Sequence, residues 1–320
     1  FAALGVNTVG NFNTANGNGA LSKNFTGSLN TATGYLSLSS NTTGKGNTAT
    51  GNHSLFINSV GNYNTANGDS ALYINYSGSF NTATGYKALL QNSGTGNTAI
   101  GTSALLSNST GQWNVALGYS AGNSYNGNYN TIVGAFANIT ANNITNSVAV
   151  GYNATVDASN KIRIGSNSIN SIGGQVGWTI YSDQRVKRDI KETVPGLKFI
   201  NALRPVCYHY DIAKENELIG IKNDTAKWEG KDDLEKINFS GLLAQEVDAA
   251  AKKINYDFSG VDKTGKVMGL RYADFVPSLI KAVQELSKQV DQLNEKIAKM
   301  GSENTTSKVS STTSNDAITG

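Results

Sequence analysis

The sequence predicts a mainly β fold: a parallel β-roll solenoid, then a small α+β domain closed by a coiled-coil helix. A five-residue motif returns every 17 residues in the first part of the chain, charged residues are concentrated in the remainder, and the last charged stretch carries a heptad of apolar residues. Those three observations define the class.

The repeat comes first. Asn13-Thr14-Ala15-Asn16-Gly17 recurs as Asn30–Gly34, Asn47–Gly51, Asn64–Gly68 and Asn81–Gly85, and looser copies end at Gly101, Gly118, Gly134, Gly151 and Gly165. A unit this short cannot bury its own apolar face, so it stacks on copies of itself. Asn, Gly, Thr and Ser are poor helix formers and lack a three-to-four apolar spacing here, which selects β coils over helical ones. Each N-T-A-x-G gives a short strand with its small residue inward and a glycine free to take positive φ at the corner. Ala32, Ala49, Val115, Ile132 and Val148 are the expected interior. About ten coils at roughly 4.8 Å each make a rod of roughly 48 Å, thin enough to gain stability by pressing on identical copies. A disordered polar tract would share this composition. The strict register and the recurring Phe12, Phe25, Tyr63, Phe80, Trp113 and Tyr129 favour order.

Charge marks the domain boundary. Of 26 Lys and Arg only five precede Ser182, and of 23 Asp and Glu only Asp69 and Asp157 do. The expected organisation is a repetitive head at 1–165, a connector at 166–182, an α+β domain at 183–275, a coiled-coil helix at 276–300 and a flexible tail at 301–320. The chain starts at Phe1 rather than Met, as a fragment or a processed product would.

Composition also narrows the chemistry. A net charge of +3 offers no basic stripe for nucleic acid, and no apolar run approaches the roughly 18 residues that insert in a bilayer. Cys207 stands alone, so no intrachain disulfide is expected. His53 and His209 have no cysteine cluster beside them, which argues against zinc; no metal or cofactor is expected. Gly44-Lys45-Gly46 falls in register with the repeat and lacks the spacing of a phosphate loop. Glycoside hydrolysis needs two carboxyl groups about 5–10 Å apart, whereas Asp69 and Asp157 are 88 residues apart (157 − 69). The head is therefore expected to bind a cell-surface or glycan ligand rather than cut one.

Beyond Lys187 the pattern mixes α and β. Thr193 is the expected cap of a short helix through Leu203 with Pro195 in its first turn. Pro205 to Tyr210 alternates as a strand does, Gly241-Leu242-Leu243-Ala244-Gln245-Glu246-Val247 opens a helix, and Asp262-Lys263-Thr264-Gly265 turns between two strand-like stretches. Val276, Leu279, Val283, Leu286, Val290, Leu293, Ile297 and Met300 then alternate spacings of three and four, the signature of a coiled coil. Val at a and Leu at d lean towards two strands in parallel coils, so the seam does not itself specify a trimer.

Several of these stretches resemble a known family in the same order. Ser182-Asp183-Gln184-Arg185-Val186-Lys187-Arg188-Asp189-Ile190, Leu203-Arg204-Pro205-Val206, Gly241 to Val247 and Tyr272 to Leu286 are similar to the C-terminal intramolecular chaperone and autoprotease of endosialidase-type phage tailspikes. Ser147-Val148-Ala149-Val150-Gly151-Tyr152-Asn153-Ala154 resembles the head repeat of trimeric autotransporter adhesins, which form a left-handed parallel β-roll trimer. The first resemblance implies a homotrimer, help in winding the upstream fibre, and release by cleavage next to Ser182. It also implies a catalytic dyad of Ser182 and Lys187, a cut between Ser182 and Asp183, and a location on a virion tail fibre or a cell surface. A permanent trimerisation cap without proteolysis is the alternative.

A serine hydroxyl needs a base, and a lysine serves only when desolvation or neighbouring cations lower its pKa; Arg185 and Arg188 flank Lys187. The five-residue separation places the pair on a bend, with its final geometry expected from the folded trimer. Attack by Ser182 on the Tyr181 carbonyl closes a five-membered ring and cuts before Ser182. Attack on its own carbonyl would need a four-membered ring. A cut after Ser182 thus calls for an activated water, a serine from a neighbouring chain, or a rearranged ester, and all three stay open.

Overall fold

The computed structural model describes residues 2–221 and 232–312, the last eleven for their backbone alone. The chain divides into two compact units. One comprises Phe1–Gly173 with two later segments, His209–Ile237 and Thr264–Val267, and the other Gly174–Tyr208, Asn238–Lys263 and Met268–Gly320. Four α-helices occur among the described residues: α1 (Leu197–Ile200), α2 (Ile212–Ile219), α3 (Ala244–Lys253) and α4 (Val276–Thr312).

In the first unit, ten three-residue strands form one parallel sheet that follows sequence order, from Thr14–Asn16 through Thr48–Thr50 and Val115–Leu117 to Ile162–Ile164. Thr, Ala and β-branched residues suit a pleated strand, and the repeat sets the register: Ala32 faces Ala49, Ala49 faces Ala66 and Ala66 faces Ala83. These alanines are fully buried. Two expected interior residues lie elsewhere. Val115 is 41 % exposed and Val148 is only partly buried, because inward positions alternate along a strand and Ala116, Ile132 and Ala149 occupy them.

The corner glycines behave as expected. Gly51 has φ 128°, and a Cβ there would lie 2.6 Å from the carbonyl oxygen of Gly68, so only glycine lets successive coils approach this closely.

The interior is richer than a file of alanines. Leu21, Leu38, Leu55, Leu72, Leu89 and Leu105 form a fully enclosed row, each with φ near +50°. A branched residue avoids that backbone at a cost of about 1–2 kcal/mol, which burying a leucine side chain, worth roughly 1.5–3 kcal/mol, offsets.

Asparagines also run inside. The Asn47 side-chain oxygen accepts from the Asn64 N–H at 2.9 Å and the Asn64 oxygen accepts from the Asn81 N–H at 3.0 Å. Their amide nitrogens donate to the carbonyls of Gly61 and Gly78, both at 2.8 Å. A second file links Asn24, Asn41, Asn58 and Asn75 through side-chain bonds of 2.7–2.8 Å. An unpaired buried amide is costly; the repeat avoids this by placing each donor one coil from an identical acceptor.

The two later segments pack on the last coils of this unit. The Asp157 carboxylate accepts from Lys161 Nζ at 2.9 Å and from the Lys266 N–H at 2.8 Å. Asn167 Nδ2 donates to Asn216 Oδ1 at 2.8 Å, and Arg163 pairs with Glu215 at 3.5 Å. Burial works to raise the Asp157 pKa, but the hydrogen bonds from Lys161 and the Lys266 N–H outweigh it and hold the group below the usual carboxylate range. Segments expected within the α+β domain thus belong with the solenoid. By sequence the stretch from Glu215 to Lys236 has the character of a variable insertion relative to the family it resembles; it begins inside α2, and 222–231 lie outside the described residues.

The second unit is small and aromatic-centred. Phe199 of α1 is fully buried among Tyr256, Phe258 and Phe275, with ring centroids 5.2, 5.0 and 6.2 Å away, and Val247 of α3 closes the cluster. Strand Val206–Tyr208 pairs antiparallel with Phe239–Gly241, and Val261–Asp262 with Gly269–Leu270, as the alternation and the Asp262–Gly265 turn predict. α1 is shorter than expected and Thr193 does not cap it. Its N-cap is Gly196, and the orphan Leu197 N–H is met at 2.8 Å by the Glu285 carboxylate from α4. α4 begins at Val276 with Pro277 in its first turn and continues to Thr312, past the expected start of a flexible tail at 301; residues 313–320 lie outside the described residues.

Candidate functional site

The site lies in an exposed extended segment that leads into the second unit. Ser182 is followed by Asp183, whose carboxylate accepts from the Arg185 N–H at 2.8 Å and caps a single 3-10 turn at Gln184–Val186. The Arg185 guanidinium closes on the same carboxylate, with Nε at 3.0 Å and Nη2 at 2.6 Å. The side-chain bond from Arg185, then its backbone N–H, pulls the Asp183 pKa below the usual carboxylate range.

The turn brings Ser182 and Lys187 together. Lys187 ends it, donating its N–H to the Gln184 carbonyl at 3.1 Å, and its Nζ donates to Ser182 Oγ at 2.7 Å. The contact therefore forms within one chain and does not wait for neighbouring chains, contrary to the expectation from spacing. What one chain lacks is burial: every residue from 181 to 190 is exposed. Trp178 is 88 % and Tyr181 93 % exposed, so a strip of large apolar side chains stands in solvent beside the dyad.

The supporting unit joins the other stretches that pointed here. Arg204, of the Leu203-Arg204-Pro205-Val206 stretch, forks onto Glu246 of the Gly241–Val247 stretch through two hydrogen bonds. Glu246 is lowered in pKa by that pairing. Tyr272 Oη accepts from the Leu242 N–H at 2.9 Å. Stretches far apart in sequence thus form one scaffold.

Residues 182–256 match the peptidase family described as chaperone of endosialidase. The match opens on Ser182 itself and follows a β solenoid, in agreement with the resemblance seen in the sequence. It supports a trimerisation-chaperone role for this part of the chain. No curated protein matches the sequence.

The other residues weighed in the sequence fall elsewhere. His53 packs edge-on to Tyr35 and Phe56, each 5.3 Å away, and the Lys45 N–H donates to Asn62 Oδ1 within the repeat register. Asp69 binds Ser70 and Asn52 on the solenoid surface. Among the described residues no group of three or more His, Cys, Asp or Glu could hold a metal, and no helix is long and apolar enough to cross a membrane. The buried asparagine files and the capping role of Glu285 escaped the sequence reading. A polar residue at one fixed position of every coil was the available signal for the files; nothing local marked Glu285.

Proposed function

We propose that the chain is a trimeric fibre whose C-terminal chaperone drives trimer folding and is then released by a single self-cleavage next to Ser182. The carrying observation is the 2.7 Å bond from Lys187 Nζ to Ser182 Oγ, located where the chaperone family match begins. In its neutral form Lys187 takes the hydroxyl proton as oxygen attacks a carbonyl, and gives a proton to the departing amide nitrogen. Water then completes hydrolysis of the ester.

Desolvation is the missing ingredient in one chain. Association that buries Trp178, Ile180, Tyr181 and Val186 would exclude water from the dyad, disfavour the ammonium and arm the base. Cleavage would then report completed assembly. The solenoid is the part left on a virion tail fibre or a cell surface, where it binds a surface ligand.

Intact-mass spectrometry of the chain with and without Ser182→Ala tests this. A cut after Ser182 leaves a fragment of 138 residues (320 − 182) starting at Asp183. A fragment that starts at Ser182 would instead assign the five-membered-ring route through the Tyr181 carbonyl. An uncleaved wild-type trimer would make the chaperone a permanent cap.

A further inference from the structure

The enclosed leucine row stops at Leu105. The next coils carry Gly122, Asn138 and Thr155 in its place, as the backbone bonds from Leu105 to Ala121, Gly122 to Ala137 and Asn138 to Ala154 show, and Asn138 pairs in register with Thr155. Ile132, Ile139, Ile144 and Val156 continue the core there, and beside these coils a cavity of about 380 Å³ opens on the first unit. That is within the range of small-ligand sites.

Its lining has a specific chemistry. Asn123, Asn138 and Asn153 present amides, and Tyr125 and Phe136 present rings. Phe136 is 45 % exposed and is held edge-on between Tyr119 and Tyr152, with ring centroids 5.2 and 6.1 Å away. Thr140 is also on the wall, with its hydroxyl buried away from the opening. No lining residue carries a charge, so nothing would neutralise a bound carboxylate.

We propose that this cavity binds a neutral pyranose, with one sugar face against Phe136 and ring hydroxyls meeting the Asn amides. This goes beyond the self-cleavage reading and rests only on the solenoid being the ligand-binding part. Gly220 and Ile221, downstream of Ser182, form one wall, so the test uses the Ser182→Ala chain, which keeps that wall whether or not the wild type cuts.

The experiment is saturation-transfer NMR on that full-length protein with N-acetylglucosamine, galactose and N-acetylneuraminic acid. At least one of the two neutral sugars receives saturation, and the acidic one receives less. Asn153→Gly, which suits the left-handed backbone at φ 53°, removes one lining amide and weakens that binding about fivefold, the worth of one hydrogen bond. Phe136→Asn keeps the left-handed backbone, as Asn153 does at φ 53° one coil on, and also weakens binding. No transfer to either neutral sugar, equal transfer to the acidic one, or indifference to both substitutions would overturn the proposal.

Discussion

Lys187 donates from Nζ to Ser182 Oγ at 2.7 Å across one 3-10 turn, while both residues stand in solvent. A contact is thus preformed, and the proposed mechanism requires only its dehydration. Lys187→Arg separates these roles: the guanidinium keeps the positive charge and can still donate to the hydroxyl, but it does not deprotonate in proteins. Cleavage is expected to fall at least a hundredfold in Lys187→Arg, as in Lys187→Ala. Time courses by gel, with the trimer checked by light scattering, measure it; an arginine variant that cleaves at the wild-type rate would remove Lys187 as the base.

Asn64 tests the interior. Its side chain accepts from the Asn81 N–H at 3.0 Å and donates to the Gly78 carbonyl at 2.8 Å and to Asn47 Oδ1 at 3.0 Å. Asn64→Leu is similar in size yet leaves the buried Asn81 N–H unpaired and removes one of two donors from both the Gly78 carbonyl and Asn47 Oδ1, which keep Asn75 Nδ2 and the residue-64 N–H, and is expected to cost about 1–3 kcal/mol. Thr65→Val, on the exposed side of the same coil, is expected to stay within about 0.5 kcal/mol. Denaturant midpoints compare the two.

Asn64 also shows where sequence reading succeeds and where it stops. The 17-residue period, the strand at Thr65–Asn67 and the corner at Gly68 were legible because spacing fixes them. The burial of Asn64 was not legible, because a single asparagine is better solvated in water and only stacking supplies partners at every coil. Val115 and Val148 failed for the complementary reason. The period names the strand but not which parity faces in, and an apolar residue was taken as buried when its neighbour Ala116 or Ala149 was. At the site, the stretches around Ser182 and Lys187 singled the two residues out, and their side chains are in contact. The cap on α1 was not, because Glu285 lies 88 residues from Leu197 and no local pattern links them.

Asp157 gives a pH dependence. Its carboxyl sits below the usual range in the folded chain, through Lys161 and the Lys266 N–H acting against burial. A group with a depressed folded pKa contributes stability that is present above its unfolded value and lost as pH falls through the folded one. The hold on residues 264–267 is therefore constant near neutrality and weakens below about pH 4. Hydrogen exchange at the Lys266 amide reads this directly: protection falls with acid in the wild type, whereas Asp157→Asn starts less protected and loses that pH response. Protection unchanged down to pH 3 would show that the carboxylate does not hold the segment.

α4 has two faces with different partners. Ser278 and Ala282 are buried, in line with Phe275 just before the helix, and Glu285 caps α1, so one stripe serves the helix's own unit. The heptad positions sit one residue further on, rotated by about 100° for a helix of 3.6 residues per turn, and they are left bare: Leu279 is 46 % and Val283 66 % exposed. A row of eight such side chains from Val276 to Met300 is too regular for a solvated face, and self-association is the occupant a heptad specifies. Charged substitutions at two exposed d positions, Leu286→Glu with Leu293→Glu, leave Ser278, Ala282 and Glu285 of the inward stripe unchanged. They are expected to leave the second unit folded while shifting the chain from trimer to monomer in analytical ultracentrifugation. If association is what dehydrates Ser182 and Lys187, the same protein also stays uncut; a monomer that cleaves at full rate would uncouple the dyad from assembly.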